Sequence, residues 1–93
     1  MTKDFEPNPQ VLARMAEAFA QNSIIKKTYL HFSSRTDWNS FEKYLNWLQS
    51  KNYIEYHDSN VKAYKLTHSG REMFNMILNL YTDIKKFRLM IST

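Results

Sequence analysis

The sequence predicts an α+β fold, mainly α: three helices, a β-hairpin and a long C-terminal helix, in that order. Apolar side chains recur at steps of three and four along residues 12–19, 38–48 and 73–91, the period of a helix with one buried face. Between the last two stretches, residues 53–57 and 61–67 are rich in aromatic and β-branched residues and roughly alternate. They flank the turn formers Asp58, Ser59 and Asn60, which marks a hairpin.

Residues 1–7 read as a loose arm. Asn8-Pro9 opens the first helix, with Asn as cap and Pro at the first helical position, where its missing N–H costs nothing. Leu12, Met15, Ala16 and Phe19 form its apolar face, and Asn22-Ser23 ends it. Lys26 to Phe32, with Tyr29, Leu30 and Phe32 after two lysines, fits a short second helix broken by Ser33-Ser34. The polar turn through Arg35 leads to a third helix, capped by Thr36 or Asp37. Its inner face is read as Trp38, Phe41, Leu45 and Leu48, and it ends near Lys51-Asn52. After the hairpin, Thr67 caps a helix from about His68 to about Met90. There Met73, Ile77, Leu80, Ile84, Phe87 and Ile91 alternate steps of four and three, the seam of a coiled coil. Two helices joined by a short turn and followed by a hairpin form the winged helix-turn-helix layout. The expected division is an arm (1–7), a winged domain (8–67) and a C-terminal dimerisation helix (68–93).

Composition bounds the rest. With 93 residues there is room for one core, and 43% hydrophobic with 15% aromatic residues excludes a disordered chain. The absence of cysteine excludes a disulfide framework and a zinc ribbon, so packing must supply the stability, and a reducing interior fits. The start, MTKDFEPNPQ, lacks the basic-then-apolar pattern of a secretory signal. No apolar run approaches the roughly eighteen residues of a membrane helix, so no membrane partner is expected. The net charge of +4 is unevenly placed: Lys26, Lys27, Arg35, Lys43 and Lys51 face only Asp37 and Glu42 in residues 23–52. That bias fits a polyanionic partner.

Three stretches carry a family resemblance: Phe41-Glu-Lys-Tyr-Leu-Asn-Trp-Leu48, Lys51-Asn-Tyr-Ile54 and Tyr64-Lys-Leu-Thr-His-Ser-Gly70. With them residues 26–74, about half the chain, resemble the winged-helix domains of small archaeal DNA-binding proteins and related regulators. In that family the strand leaving the wing ends in Leu-Thr, then two residues, then Gly at a helix start, as Leu66, Thr67 and Gly70 do. The resemblance implies that residues 41–48 lie in a recognition helix, and that the long last helix pairs with its twin in a homodimer. Asn52 stands where the family often has Gly, and Asn also tolerates the left-handed conformation. The wing tip, Asp58-Ser-Asn60, carries no basic residue.

With the inner face of the third helix turned to the core, its outer face holds Asn39, Lys43, Asn46 and Ser50, with Ser40 beside them. In a helix-turn-helix this face enters the major groove of double-stranded DNA. Asn39 can pair with adenine, and Lys43 with guanine or a phosphate. Lys26, Lys27, Arg35 and Thr36 fall where phosphate clamps belong, and Lys62 flanks the wing. The competing readings are an ordinary solvated helix face, a protein-binding winged module, which would expose an apolar cluster on this face, and a single-strand or RNA binder, which would expose Tyr44 and Trp47. No cofactor and no metal are expected: His31, His57 and His68 are scattered, the acids form no close pair, and one glycine cannot cradle a phosphate. The expectation is a non-enzymatic, cytoplasmic, nucleoid-associated DNA-binding regulator or small chromatin protein.

Overall fold

The computed structural model describes residues 5–58 and 62–91, with the backbone alone for 58 and 89–91. The first helix, α1 (Pro9–Gln21), opens as the sequence requires: the Asn8 side chain accepts the Gln10 N–H at 2.8 Å and Pro9 is first in the helix. Its inner face, including Leu12, Met15, Ala16 and Phe19, is buried. Phe5, within the arm of the sequence reading, packs edge-on against Tyr44, ring centroids 4.9 Å apart.

A strand not foreseen in the sequence follows, β1 (Ile24–Lys26), and α2 (Lys27–Ser34) starts one residue later than expected. Three residues are too few to display a period, and β1 is defined by its partner, far along the chain. Next come α3 (Trp38–Ser50), the wing strands β2 (Ile54–Asp58) and β3 (Ala63–Leu66), and α4 (His68–Ile91). The hairpin turn, residues 59–61, lies outside the described residues. The sheet is antiparallel with order β1-β3-β2; Ile25 lies opposite Tyr64, and Tyr64 opposite Tyr56. Burial, and then the hydrogen bond with the Tyr56 hydroxyl, holds the Tyr64 phenol above its ordinary pKa.

One core joins the layers. Met15, Ile25, Leu30, Phe41, Leu45, Leu48, Tyr64 and Phe74 contribute fully buried side chains from α1, β1, α2, α3, β3 and α4. The inner face of α3 differs from the sequence reading at two positions. Trp38 is 44% exposed, and Tyr44 instead completes the buried set with Phe41, Leu45 and Leu48. The reason is local: Trp38 is the first residue of the helix, beyond the core's edge. Tyr44, at spacing three from Phe41 and four from Leu48, is satisfied because its hydroxyl accepts the Asn8 N–H at 2.8 Å.

The junction of α3, wing and α4 explains the Leu-Thr-x-x-Gly pattern. Helix α3 ends on Asn52 in the left-handed region (φ 60°), with Asn52 N–H to the Gln49 carbonyl and Tyr53 N–H to the Leu48 carbonyl. Thr67 then ties three segments together. Its N–H donates to the Tyr53 carbonyl (3.0 Å), its hydroxyl donates to the Asn52 carbonyl (2.6 Å), and the same oxygen accepts the Gly70 N–H (3.0 Å) as the cap of α4. Gly70 lies so close to this turn that a Cβ would sit 1.8 Å from the Tyr53 carbonyl oxygen. Only glycine lets α4 start there.

Candidate nucleic-acid interface

The turn between α2 and α3 is rigidly built. Arg35 ends α2 in the left-handed region (φ 56°), its N–H reaching the Phe32 carbonyl at 3.3 Å. The buried Ser34 hydroxyl donates to the His31 carbonyl at 2.7 Å and meets the Thr36 hydroxyl at 3.0 Å; His31 Nε2 donates to the Thr36 carbonyl at 2.9 Å. Thr36, expected among the clamps, is thus half-buried in the network that sets the angle between the two helices. His31 also packs against Trp38 and Phe41, which fixes the start of α3.

Helix α3 is capped by Asp37, whose carboxylate accepts the Ser40 N–H at 3.2 Å. Hydrogen bonds from Ser40 hold that carboxyl below its ordinary value of 3.8. Asn39, Lys43, Asn46 and Ser50 are exposed, and Ser40 half-exposed, on one side of the helix. Trp38 is the sole large apolar residue exposed on α3, and it sits at the helix end. Tyr44 is buried and Trp47 partly buried against the core, so neither offers a stacking platform.

The lysines are gathered by the sheet. Lys26 lies opposite Ala63 in the β1–β3 pair, and the Lys27 N–H donates to the Lys62 carbonyl at 2.9 Å. Lys26, Lys27, Lys62, Thr28 and Trp38 consequently line a single notch of about 290 Å3 beside the first turn of α3. Their charges are not equivalent. Lys27 Nζ is 3.0 Å from Glu42 and lies over the Trp38 ring, 5.1 Å from its centroid, with 18% of its side chain exposed. Lys27, expected among the phosphate clamps, is therefore committed to an internal pair, because α2 and α3 bring it onto the side of α3 that carries Glu42. Lys26 and Lys62 remain exposed. Lys65, on the far flank of the wing, is 3.6 Å from Glu55 across the hairpin.

On α4 the first half of the expected seam packs within the chain and the second half is exposed. Met73 and Ile77 are half-buried against the chain's own core, while Phe74, Leu78 and Tyr81 face inward. Stacking of Phe19 on Phe74, 5.8 Å between centroids, shows how α1 covers the first half. Met76 (71%), Leu80 (61%), Ile84 (44%) and Phe87 (62%) form an exposed apolar stripe. The side chain of Ile91 lies outside the described residues. No helix is long and apolar enough to cross a membrane, and no three metal-ligating side chains converge among the described residues.

A polar helix face after a braced turn, a flanking hairpin and a lysine notch beside both define a winged helix-turn-helix protein. The family model described as winged helix-turn-helix matches residues 10–88, and the chain belongs to that family. Among solved structures the chain is similar to a MarR-family transcriptional regulator from Silicibacter pomeroyi DSS-3. The TM-score is 0.71 and the identity 13%, over 91% of this chain and 61% of that one, a likeness of fold. The chain spans about three fifths of that regulator's length. A search of curated proteins by sequence found no match.

Proposed function

We propose that this chain is a transcriptional regulator that binds double-stranded DNA in a sequence-dependent way, as a homodimer. Helix α3 enters the major groove with Asn39, Lys43 and Asn46 toward base edges and Ser40 near the backbone. Lys26, Lys62 and Arg35 hold phosphates on either side, with Lys27 in a lesser role because Glu42 already neutralises it. The observation that carries this reading is the notch: pairing of β1 with β3 gathers lysines from both ends of the domain next to a polar helix face. A protein-binding winged module would instead need an apolar cluster on that face, where Trp38 stands alone.

The second copy is held by the exposed stripe of α4, from Met76 to Phe87. Two copies joined there present two recognition helices, which suits a palindromic site with half-sites near one helical turn, or a multiple of it, apart. Fluorescence anisotropy with a labelled random duplex across a salt series tests the DNA reading. Affinity should fall with a log-log slope of about −0.9 for each phosphate held. A flat response, or no binding at low salt, would refute it.

A further inference from the structure

At the other end of the β1–β3 pair from the lysine notch, a cavity of about 550 Å3 opens between α1, the sheet and the first turns of α4. That volume lies within the range of about 300–1,000 Å3 typical of small-molecule sites. Its apolar walls include the stacked pair Phe19 and Phe74, with Ile24, Leu66 and Leu78 around them. No side chain among the described residues fills it, although Ile24, at 45% exposure, would gain from cover.

The fixed charges at its rim share one sign. Arg71 from α4 and Lys65 from β3 line the cavity beside Ser23, His57 and Asn75, and no carboxylate does. Lys65 is partly balanced by Glu55 at 3.6 Å. The guanidinium of Arg71 has no hydrogen-bond or ion-pair partner among the described residues. An apolar cleft with an unengaged planar cation at its edge is complementary to a carboxylate carried on an apolar body, since guanidinium pairs with carboxylate through two parallel N–H donors. A neutral hydrophobe would leave the cation unanswered. A small inorganic anion would leave Ile24 and the half-buried Leu66 and Leu78 uncovered.

We infer that this cavity is a binding site for an amphipathic organic anion, a carboxylate whose apolar part lies against Ile24, Leu66 and Leu78, with Phe19 and Phe74 behind them, and whose charge meets Arg71. The site stands whether or not the chain binds DNA, because it uses none of the residues of the notch or of the outer face of α3.

The probe is 4-phenylbutyrate, followed by backbone amide shifts in a 1H–15N spectrum of the full chain, with 4-phenylbutanol as its neutral counterpart. The expected result is saturable shifts at residues 19–24, 65–66 and 71–78, with the alcohol at least about tenfold weaker, the scale of one charge-assisted pair. Arg71→Gln should weaken the acid by a similar factor and leave the alcohol unchanged. Ala20→Phe, which places a ring in the cavity mouth from an exposed position, should abolish both, with the native spectrum of each variant establishing that it is folded. Absence of shifts up to about 10 mM, a range that reaches the weakest specific binding, would overturn the assignment. So would equal affinity for acid and alcohol, an acid affinity indifferent to Arg71→Gln, or shifts centred on residues 76–87, which would mark adsorption to the exposed stripe.

Discussion

At the scale of single residues, position decides what a charge or a glycine does. Lys26 and Lys27 are adjacent and chemically identical, yet one is exposed and the other lies between Glu42 and Trp38. Lys26→Ala and Lys62→Ala should weaken all duplexes alike and make the salt slope shallower by about 0.9 each. Lys27→Ala should change the slope less and lower the melting temperature more, and equal effects of all three on the slope would contradict the pairing. Asn39→Ala or Lys43→Ala should relax base preference by about 1–3 kcal/mol, read from competition between duplexes that differ at one base pair. Asp37 caps the same helix with a carboxylate whose pKa is depressed by Ser40. Its contribution is therefore present above the ordinary carboxyl value and lost as pH falls through the lowered folded value. The melting temperature difference between the native chain and Asp37→Ala should be steady near neutrality and shrink in strong acid. A difference that grows on acidification would reverse the sign of the shift. Gly70→Ala drives a methyl into the Tyr53 carbonyl and should cost about 3 kcal/mol in urea unfolding, the upper end of overpacking penalties.

Among the elements, β1 has the widest consequences for its size. It is three residues long, but it adds the third strand to the sheet, buries Ile25 against Tyr64 and places Lys26 and Lys27 beside Lys62. Ile25→Ala should cost about 3 kcal/mol, as for other fully buried aliphatic truncations, and should weaken DNA binding at a temperature where the variant remains folded. Retained affinity would mean that the lysines act without the strand's alignment. The α3–wing–α4 junction was more legible. Asn52 in the left-handed region and Thr67 as cap are both written in local chemistry, and the structure adds only that one hydroxyl serves two partners at once. The inner face of α3 was legible except at Tyr44 and at its first residue, where helical spacing cannot tell whether the core extends far enough to cover Trp38.

Across the whole molecule, the length of α4 matters most. Its first half is covered by α1 and the core, and its second half presents Leu80, Ile84 and Phe87 to solvent. An exposed apolar stripe of this kind marks an interaction surface, and the proposed second copy would cover it. Light scattering should give a dimer at micromolar concentrations for the full chain, and a monomer for Leu80→Glu combined with Ile84→Glu. A full-length protein that stays monomeric at high micromolar concentration would refute this assembly. The double variant should also bind a palindromic site no better than a single half-site.

The sequence by itself determined the fold class, because period, caps and turn formers are local and each agrees with the others. The helix starts at Pro9 and His68 and the left-handed exit at Asn52 depend on residues within a few positions of one another, whereas the choice of Asp37 over Thr36 as the cap of α3 came from the structure. Only the tertiary structure decided which lysines stand free, and that Tyr44 is buried within the core rather than at its edge. Each depends on partners far away in the chain: Lys26 and Lys27 on β3 and on Glu42, Tyr44 on Asn8. Local spacing can place a side chain on a face. Whether that face meets water, a carboxylate or the core is set by the packing of segments that the chain brings together only when folded.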